Sequence, residues 1–514
     1  MKKDSDQEHS ETTLNDVKQL GVWASLASLS YVFWVVGGME MVERLAYYGV
    51  RSLAAVYNTR PVSEGGLGVT MVAYGTLLTV WTLLQSLVPI FTGGLSDRYG
   101  YKLTIFISTI VKCVGYLIMA WYQTYTGFFV GAVFLAIGTA LFKPGIQGTL
   151  VRCTNRKNSS MAWGVFYQTV NIGAWIGPLI ALQMRQENWT YVFYTNAAFI
   201  CLNFILLCTY KEPGKEERLA RKAEIAAGKA TQSNLLHESL KELRKPHLWV
   251  YLLIFCVWWF MFPMLWDVLP KYVDDWVDTS VIVSTLFGEG GTSNTFFNFV
   301  LGMSEDGKSI EPEGIVNINS GIIMLTCFIF AGLSAKMRAT TSLLLGTICV
   351  IAALVIFGLF TLAWCCVGAM VVFSIGEMLA SPKYSEFLGN IAPHDKKAMW
   401  IGFSQAPMMA GGTLEAWVGP RLYHAFSDKE VFARELLEEK GMSAVEVEKI
   451  PMGEGFAKLV ELTGQTPEVV TRSLYEAHNV GLVWYFFALV GVFSAVMIYS
   501  YGVWIKKLAA SEKI

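Results

Sequence analysis

The stretch Glu40-Met-Val-Glu43-Arg44-Leu-Ala-Tyr47-Tyr48-Gly49-Val-Arg51 sits inside an apolar run, residues 22–57, long enough to cross a bilayer as a helix. Wound at 100° per residue, Glu40, Glu43, Arg44, Tyr47, Tyr48 and Arg51 fall within an arc of roughly 140°. Met41, Val42, Leu45, Ala46 and Val50 make the opposite, apolar face. An ionised side chain at the bilayer centre costs about 2.5–3.5 kcal/mol on insertion scales. Two carboxylates and two guanidiniums are tolerable there only if they pair or face water inside a bundle. Two readings follow: a lock between helices, or a polar line along which substrate or protons pass.

Composition places the whole chain in the membrane class. Of 514 residues, 54% are apolar and only 16% charged, against about 25% charged in soluble domains. Mean hydropathy is +0.43. The 17 Trp suit residues that anchor at membrane interfaces. A net charge of −1 gives no basis for a nucleic-acid partner. The nine cysteines, among them Cys113, Cys201, Cys208, Cys256, Cys327 and Cys349, lack metal spacing and read as small core hydrophobes. The polar first 20 residues give no cleavable signal peptide.

Twelve runs can span the membrane, at 22–57, 69–95, 102–122, 126–150, 161–184, 189–210, 247–277, 315–337, 341–364, 367–390, 398–424 and 479–505. The expected organisation is a tail (1–21), a six-helix bundle (22–210), a charged, helix-prone linker (211–246), a second six-helix bundle (247–505) and a tail (506–514). Arg98, Lys102, Arg152, Arg156, Lys157, Lys336, Arg338, Lys396, Lys397, Lys506 and Lys507 all fall on one side if both termini are cytoplasmic. The other side carries a mixed Arg185–Glu187 turn and the acidic Glu305, Asp306, Glu311 and Glu313. Two external segments stand out: 278–314, rich in Gly, Ser, Thr and Asn and read as loop, and 427–478, read as a small helical cap with no readable role. Gly94-Leu-Ser96-Asp97-Arg98 ends the second run, and Gly332-Leu-Ser334-Ala335-Lys336 ends the eighth. This echo is what parallel repeats of six helices produce.

Gly94-Leu-Ser-Asp97-Arg98-Tyr-Gly100-Tyr-Lys102 resembles the loop 2–3 signature of the major facilitator superfamily. The opening stretch resembles, more narrowly, the helix-one signature of proton-coupled oligopeptide transporters. Gly138-Thr-Ala-Leu-Phe-Lys143-Pro144, Phe166-Tyr167-x-x-Val-Asn171-x-Gly173-Ala174 and Glu377-Met-Leu-Ala-Ser381-Pro382-Lys-Tyr384-Ser385 are similar to that family's helix-four, helix-five and helix-ten motifs. The resemblance implies an all-α membrane protein of the major facilitator fold, with 12 transmembrane helices in two bundles. It implies a proton-coupled symporter of the plasma membrane that imports di- or tripeptides or similar zwitterions as a monomer, without cofactor or metal.

Position by position, the resemblance makes Glu40, Glu43 and Arg44 a proton-sensitive cluster and Asp97, Arg98 and Lys102 a gate that latches the halves together. Arg51 and Lys143 would take a substrate carboxylate, and Glu377 the substrate ammonium. Glu377 would also carry protons and pair with Lys143 in the empty site. Tyr47, Tyr48, Asn171 and Asn319 would line the pocket. The residue types suit the chemistry: a guanidinium binds a carboxylate through two parallel hydrogen bonds, and a zwitterion needs an anion some distance from the cations.

The chain departs from the family pattern in helix seven. A glutamate that pairs with the helix-one arginine is usual there; here Pro263 stands near that place, with Asp267 one turn on, and two readings stay open: Arg51 pairs with Asp267, or it is left free for a more anionic ligand. Gly145 follows Pro144 where Asn is usual. A relative moving another organic anion or amino-acid derivative, and a receptor without turnover, are the alternatives. An enzyme is not expected: His394 and His424 are isolated, and no phosphate-cradling Lys-Ser/Thr loop is present.

Overall fold

The computed structural model describes residues 22–154, 158–226, 241, 243–335, 337–391 and 403–510. The tail 1–21, Arg156, Lys157, Lys336, His394, Lys396 and Lys397 lie outside the described residues, as do the side chains of Asp97 and Arg98.

Twelve helical columns are present among the described residues: α1 (Tyr31–Arg51), α2 (Met71–Tyr99), α3 (Tyr101–Trp121), α4 (Tyr125–Arg152), α5 (Ser159–Glu187), α6 (Trp189–Cys208), α7 (Pro246–Met261, continued by Met264–Asp267 and Leu269–Trp276), α8 (Pro312–Ala335), α9 (Ala339–Leu359), α10 (Ala363–Ile391), α11 (Gln405–Phe426) and α12 (Leu482–Ala510). Ten of them are long and apolar enough to cross a membrane by composition alone. The other two are the polar columns: α1 with its four charges, and α11 with Glu415 and Arg421. Where a column meets no neighbour it shows apolar side chains, such as Leu489, Val492, Phe493 and Val496 on α12, all more than one-third exposed. In a bilayer that surface faces lipid tails.

Helix packing shows the internal repeat directly. In the first half α3 packs on α4, α1 on α5, α2 on α4, and α3 and α1 on α6. In the second half the same pattern recurs six helices on: α9 on α10, α7 on α11, α8 on α10, and α9 and α7 on α12. The halves meet through α2 against α11 and α5 against α8, which the same shift exchanges. Close approach needs small residues. A Cβ on Gly346 would lie 2.6 Å from the Gly376 carbonyl oxygen, and one on Gly75 would lie 2.8 Å from Cβ of Pro420 across the two halves.

Short polar side chains set the helix starts. Thr70 Oγ1 accepts from Ala73 N–H (3.2 Å) and Thr124 Oγ1 from Gly127 N–H (3.1 Å), which satisfies amides that the first turn leaves unpaired. The first apolar run is not one helix. Ser30 caps α1 and separates it from Val22–Ala27, and Ala54–Thr59 follows beyond Arg51. In α7, Pro263 and Pro270 each lack an N–H, and the column breaks into three pieces that place Asp267 at a break.

Two external segments differ in content. The run 278–314, expected as loop, holds helices Ser280–Phe287 and Thr295–Leu301, the latter capped by Asn294. The segment 427–478 forms four short helices, Lys429–Glu439, Ala444–Glu448, Gly455–Thr463 and Pro467–Ala477. This cap rests on the α1–α2 turn of the opposite half: Ser63 Oγ donates to Glu454 Oε1 (2.8 Å), and a Cβ on Gly453 would meet Pro61.

Gly75→Leu should wedge α2 from α11 and cost about 1–3 kcal/mol by overpacking. A lowered melting temperature of the purified protein checks this; an unchanged one refutes the close contact.

Candidate functional site

The charged face of α1 turns inward, away from lipid. Glu43 is fully buried, and Glu40, Arg44 and Arg51 are each under 9% exposed. Arg44 Nε donates to Glu43 Oε2 (2.6 Å) and lies 3.2 Å from Glu40 Oε1. The other oxygen of Glu43 takes Lys112 Nζ from α3 and Thr139 Oγ1 from α4, both at 3.2 Å. Two carboxylates thus face two cations, and the cluster is neutral as a unit. Lys112 is 1% exposed and its ammonium lies 3.8 Å from the centre of the Phe142 ring. It was not among the residues singled out by sequence. The signal was available: a lone lysine in the middle of an apolar span.

Beyond this cluster the charges are left uncompensated within each half. Lys143, one turn from Thr139 on α4, is half-buried, with no carboxylate within ion-pair distance among the described residues. Across the molecule Glu377 on α10 is also half-buried; Asn319 Nδ2, on α8, donates to its Oε2 (3.0 Å). The expected Lys143–Glu377 pair is not formed, because Glu377 is held on its own half by Asn319. Asn319 also donates to Ser374 Oγ (3.1 Å) and is 2% exposed, so it orients Glu377. Asn171 turns its amide onto the Tyr167 carbonyl of its own helix (2.8 Å). Tyr47 and Tyr48 lie under the Arg44 guanidinium, 5.0 and 6.0 Å from it, edge to face with each other.

Arg51 is not free for a carboxylate in this state. It forms an ion pair with Asp267 of α7, donates a second hydrogen bond to the Tyr74 hydroxyl (3.3 Å) and lies over Trp81. This pair joins the two halves, and two others stand beside it. Arg60 reaches Asp274 (2.8 Å), and Arg185 reaches Glu311 (2.5 Å) and Glu313 (2.8 Å). In each the cation belongs to the first half and the acid to the second. All lie at the end where α1 and α5 finish and α8 begins. The sequence assigned Glu311, Glu313 and Arg185 only to a side of the membrane; their complementarity across the halves was the missed signal. At this end the space between Tyr48, Trp266 and Ser320 shrinks to about 10 Å³, near the volume of one water centre. Outside the pairs a cavity of about 330 Å³ remains under the cap, lined by Arg60, Lys271, Asp274, Lys429 and Glu430.

At the other end Lys102 does not latch the halves. Its ammonium donates to the Tyr210 carbonyl (2.8 Å) and stacks over that ring, within the first half. Glu212 accepts from the Tyr101 amide (2.8 Å) and pairs with Arg218, so the α2–α3 turn is tied to the linker helix Lys215–Ala226.

This geometry agrees with the relationships of the chain. The family model of the Major Facilitator Superfamily matches residues 44–414. The chain belongs to the major facilitator superfamily. Among curated relatives of this facilitator, the uncharacterized transporter YclF of Bacillus subtilis (strain 168) is 28% identical over 204 residues, 38% of this chain and 40% of that one. The peptide transporter YePEPT of Yersinia enterocolitica is 28% identical over 161 residues, 30% of this chain and 31% of that one. The matched stretches therefore span well under two thirds of those relatives. The crystal structure of a peptide transporter POT in complex with sulfate superposes with a TM-score of 0.64 at 15% identity, covering 94% of this chain and 99% of that one. At that identity it supports the facilitator's fold.

Lys112→Met should leave Glu43 with one cation and destabilise the protein by about 3–5 kcal/mol, as expected when one partner of a buried pair is removed. Adding Glu43→Gln should recover most of the loss. Unfolding of both variants in detergent checks the cycle; additive effects would show that the two side chains do not interact.

Proposed function

We propose that the chain is a proton-coupled symporter that carries short peptides or peptide-like zwitterions across the plasma membrane by alternating access. One observation supports this most: a lysine without a counter-ion in one half and a glutamate without a counter-ion in the other. A zwitterion completes both. Its carboxylate answers Lys143, its ammonium answers Glu377, and binding then draws the halves together, since each bare charge is costly in a low dielectric. Similarity to a peptide transporter in sequence and to another in fold agrees with this substrate class.

The ion pairs explain how one end stays shut. Arg51–Asp267, Arg60–Asp274 and Arg185 with Glu311 and Glu313 bind the halves at the α1–α2 end, which is external if both termini are cytoplasmic. Opening that end requires those carboxylates to find another positive partner, and a proton is the smallest one. The neutral Glu40–Glu43–Arg44–Lys112 cluster sits about two turns back along α1 from Arg51. Protonation there leaves a cation uncompensated and shifts the balance toward binding a carboxylate. The inward proton gradient then drives net import. The working unit in this reading is the monomer.

In liposomes with an inward proton gradient, the purified protein should accumulate a labelled dipeptide above equilibrium, and dissipating the gradient should abolish accumulation. Lys143→Ala and Glu377→Gln should each weaken peptide binding by roughly tenfold or more, the loss of one charge-assisted contact of about 1.5–3 kcal/mol. Unchanged binding in both variants would refute the assigned pocket. No accumulation of any member of a broad peptide panel would refute the substrate class.

A further inference from the structure

Glu415 lies on α11 and is wholly buried. Neither of its carboxyl oxygens meets a hydrogen-bond donor among the described residues. What it faces is another acid: α11 packs against the Met264–Asp267 segment of α7, and the Glu415 carboxyl acts on that of Asp267, which holds the Arg51 guanidinium. Tyr74 of α2 also faces this spot, and its hydroxyl already serves Arg51. Among the described residues α12, which also packs on α11, brings no charged group to it. The fit on α11 is tight, since a Cβ on Gly419 would clash with the Glu415 carboxyl. The carboxyl therefore occupies space that the absent side chain of Gly419 leaves open.

The charges do not balance if both acids are ionised. One guanidinium faces two carboxylates, and the site would be net negative far from water. Two carboxylates in contact also have only acceptors to offer each other and repel. A single proton removes both faults. It makes the site neutral with Arg51 and supplies the missing O–H donor.

We propose that Glu415 is a proton-holding residue that forms a carboxyl–carboxylate dyad with Asp267 and so sets the charge of the Arg51 gate. The inference rests on the transport reading above. In the closed state the Glu415 hydroxyl donates to the Asp267 carboxylate, which faces Arg51. When the halves part, the guanidinium leaves with the first half. A proton from entering water then forms an O–H bond on Asp267, and Glu415 keeps its own. When the halves close, Arg51 returns and the Asp267 proton goes back to water. The site stays neutral in both states, and one proton is bound per opening. Without Glu415 as a neutral donor, Asp267 would face Arg51 with an unoccupied lone pair in the bundle interior.

Difference infrared spectroscopy of the purified full-length protein, in light and heavy water and without substrate, reads the carbonyl stretch of buried protonated acids. At neutral pH one such band should be present and should vanish in Glu415→Gln. The same band should vanish in Asp267→Asn, because Glu415 then ionises to answer Arg51. Absence of the band from the parent protein overturns the dyad, as does its survival in either variant. Should Glu415→Gln fail to fold, the Asp267→Asn spectrum and the parent spectrum decide the matter by the same criteria. Failed peptide uptake by the parent overturns the transport reading, whereas the infrared result is independent of any substrate.

Discussion

A bare charge inside a bilayer is expensive, and every polar feature of this molecule is a response to that cost. On α1 the response is internal neutralisation, with Glu40 and Glu43 balanced by Arg44 and Lys112. At the gate it is neutralisation across the two halves, with Arg51, Arg60 and Arg185 each meeting an acid of the other bundle. In the middle it is left incomplete. Among the described residues Lys143 and Glu377 lack counter-ions on their own halves, and in the proposed reading a zwitterionic ligand satisfies both. Stability and function here use the same electrostatics. Pairs within one half hold a bundle together, pairs between halves hold one state, and in the proposed reading the remaining charges are the ones a substrate answers.

The architecture makes those distinctions possible. Within each bundle the helices pack on one another, and glycines such as Gly346 and Gly376 let them approach closely. Among the described residues the halves meet chiefly along two seams, α2 with α11 and α5 with α8. Ion pairs at one end of those seams can break without unfolding either bundle. The cap formed by 427–478 adds a contact between the halves at the same end, since it grows from the second half and rests on the α1–α2 turn of the first. A segment without a readable role in the sequence thus sits where it adds to the closed state.

Much of the site was legible before any coordinates. The 3.6-residue period put the charges of α1 on one inward face, and Asp267 was named as a candidate partner of Arg51 once no glutamate was found in helix seven. Other assignments turn on distances that a helical period does not give. Lys102 is spent on the Tyr210 carbonyl and so is not a latch between halves. Asn319 serves Glu377 and Ser374. Lys112 and Glu415, each a charge in the middle of a spanning column, carry the same signal, since a charge in hydrocarbon always needs an explanation.

By itself the sequence determined the class of the protein, the number of columns, their repeat and the faces that must turn inward. Those follow from local quantities: hydropathy, helical period, and the cost of burying a charge. Tertiary structure alone decided who neutralises whom. Glu43 with Lys112, Arg60 with Asp274, and Glu415 against Asp267 join residues that are 69, 214 and 148 positions apart. A period within one helix carries no information about the distance to another. Coulomb energy depends on that distance, so the pairing is fixed only when the bundles are packed.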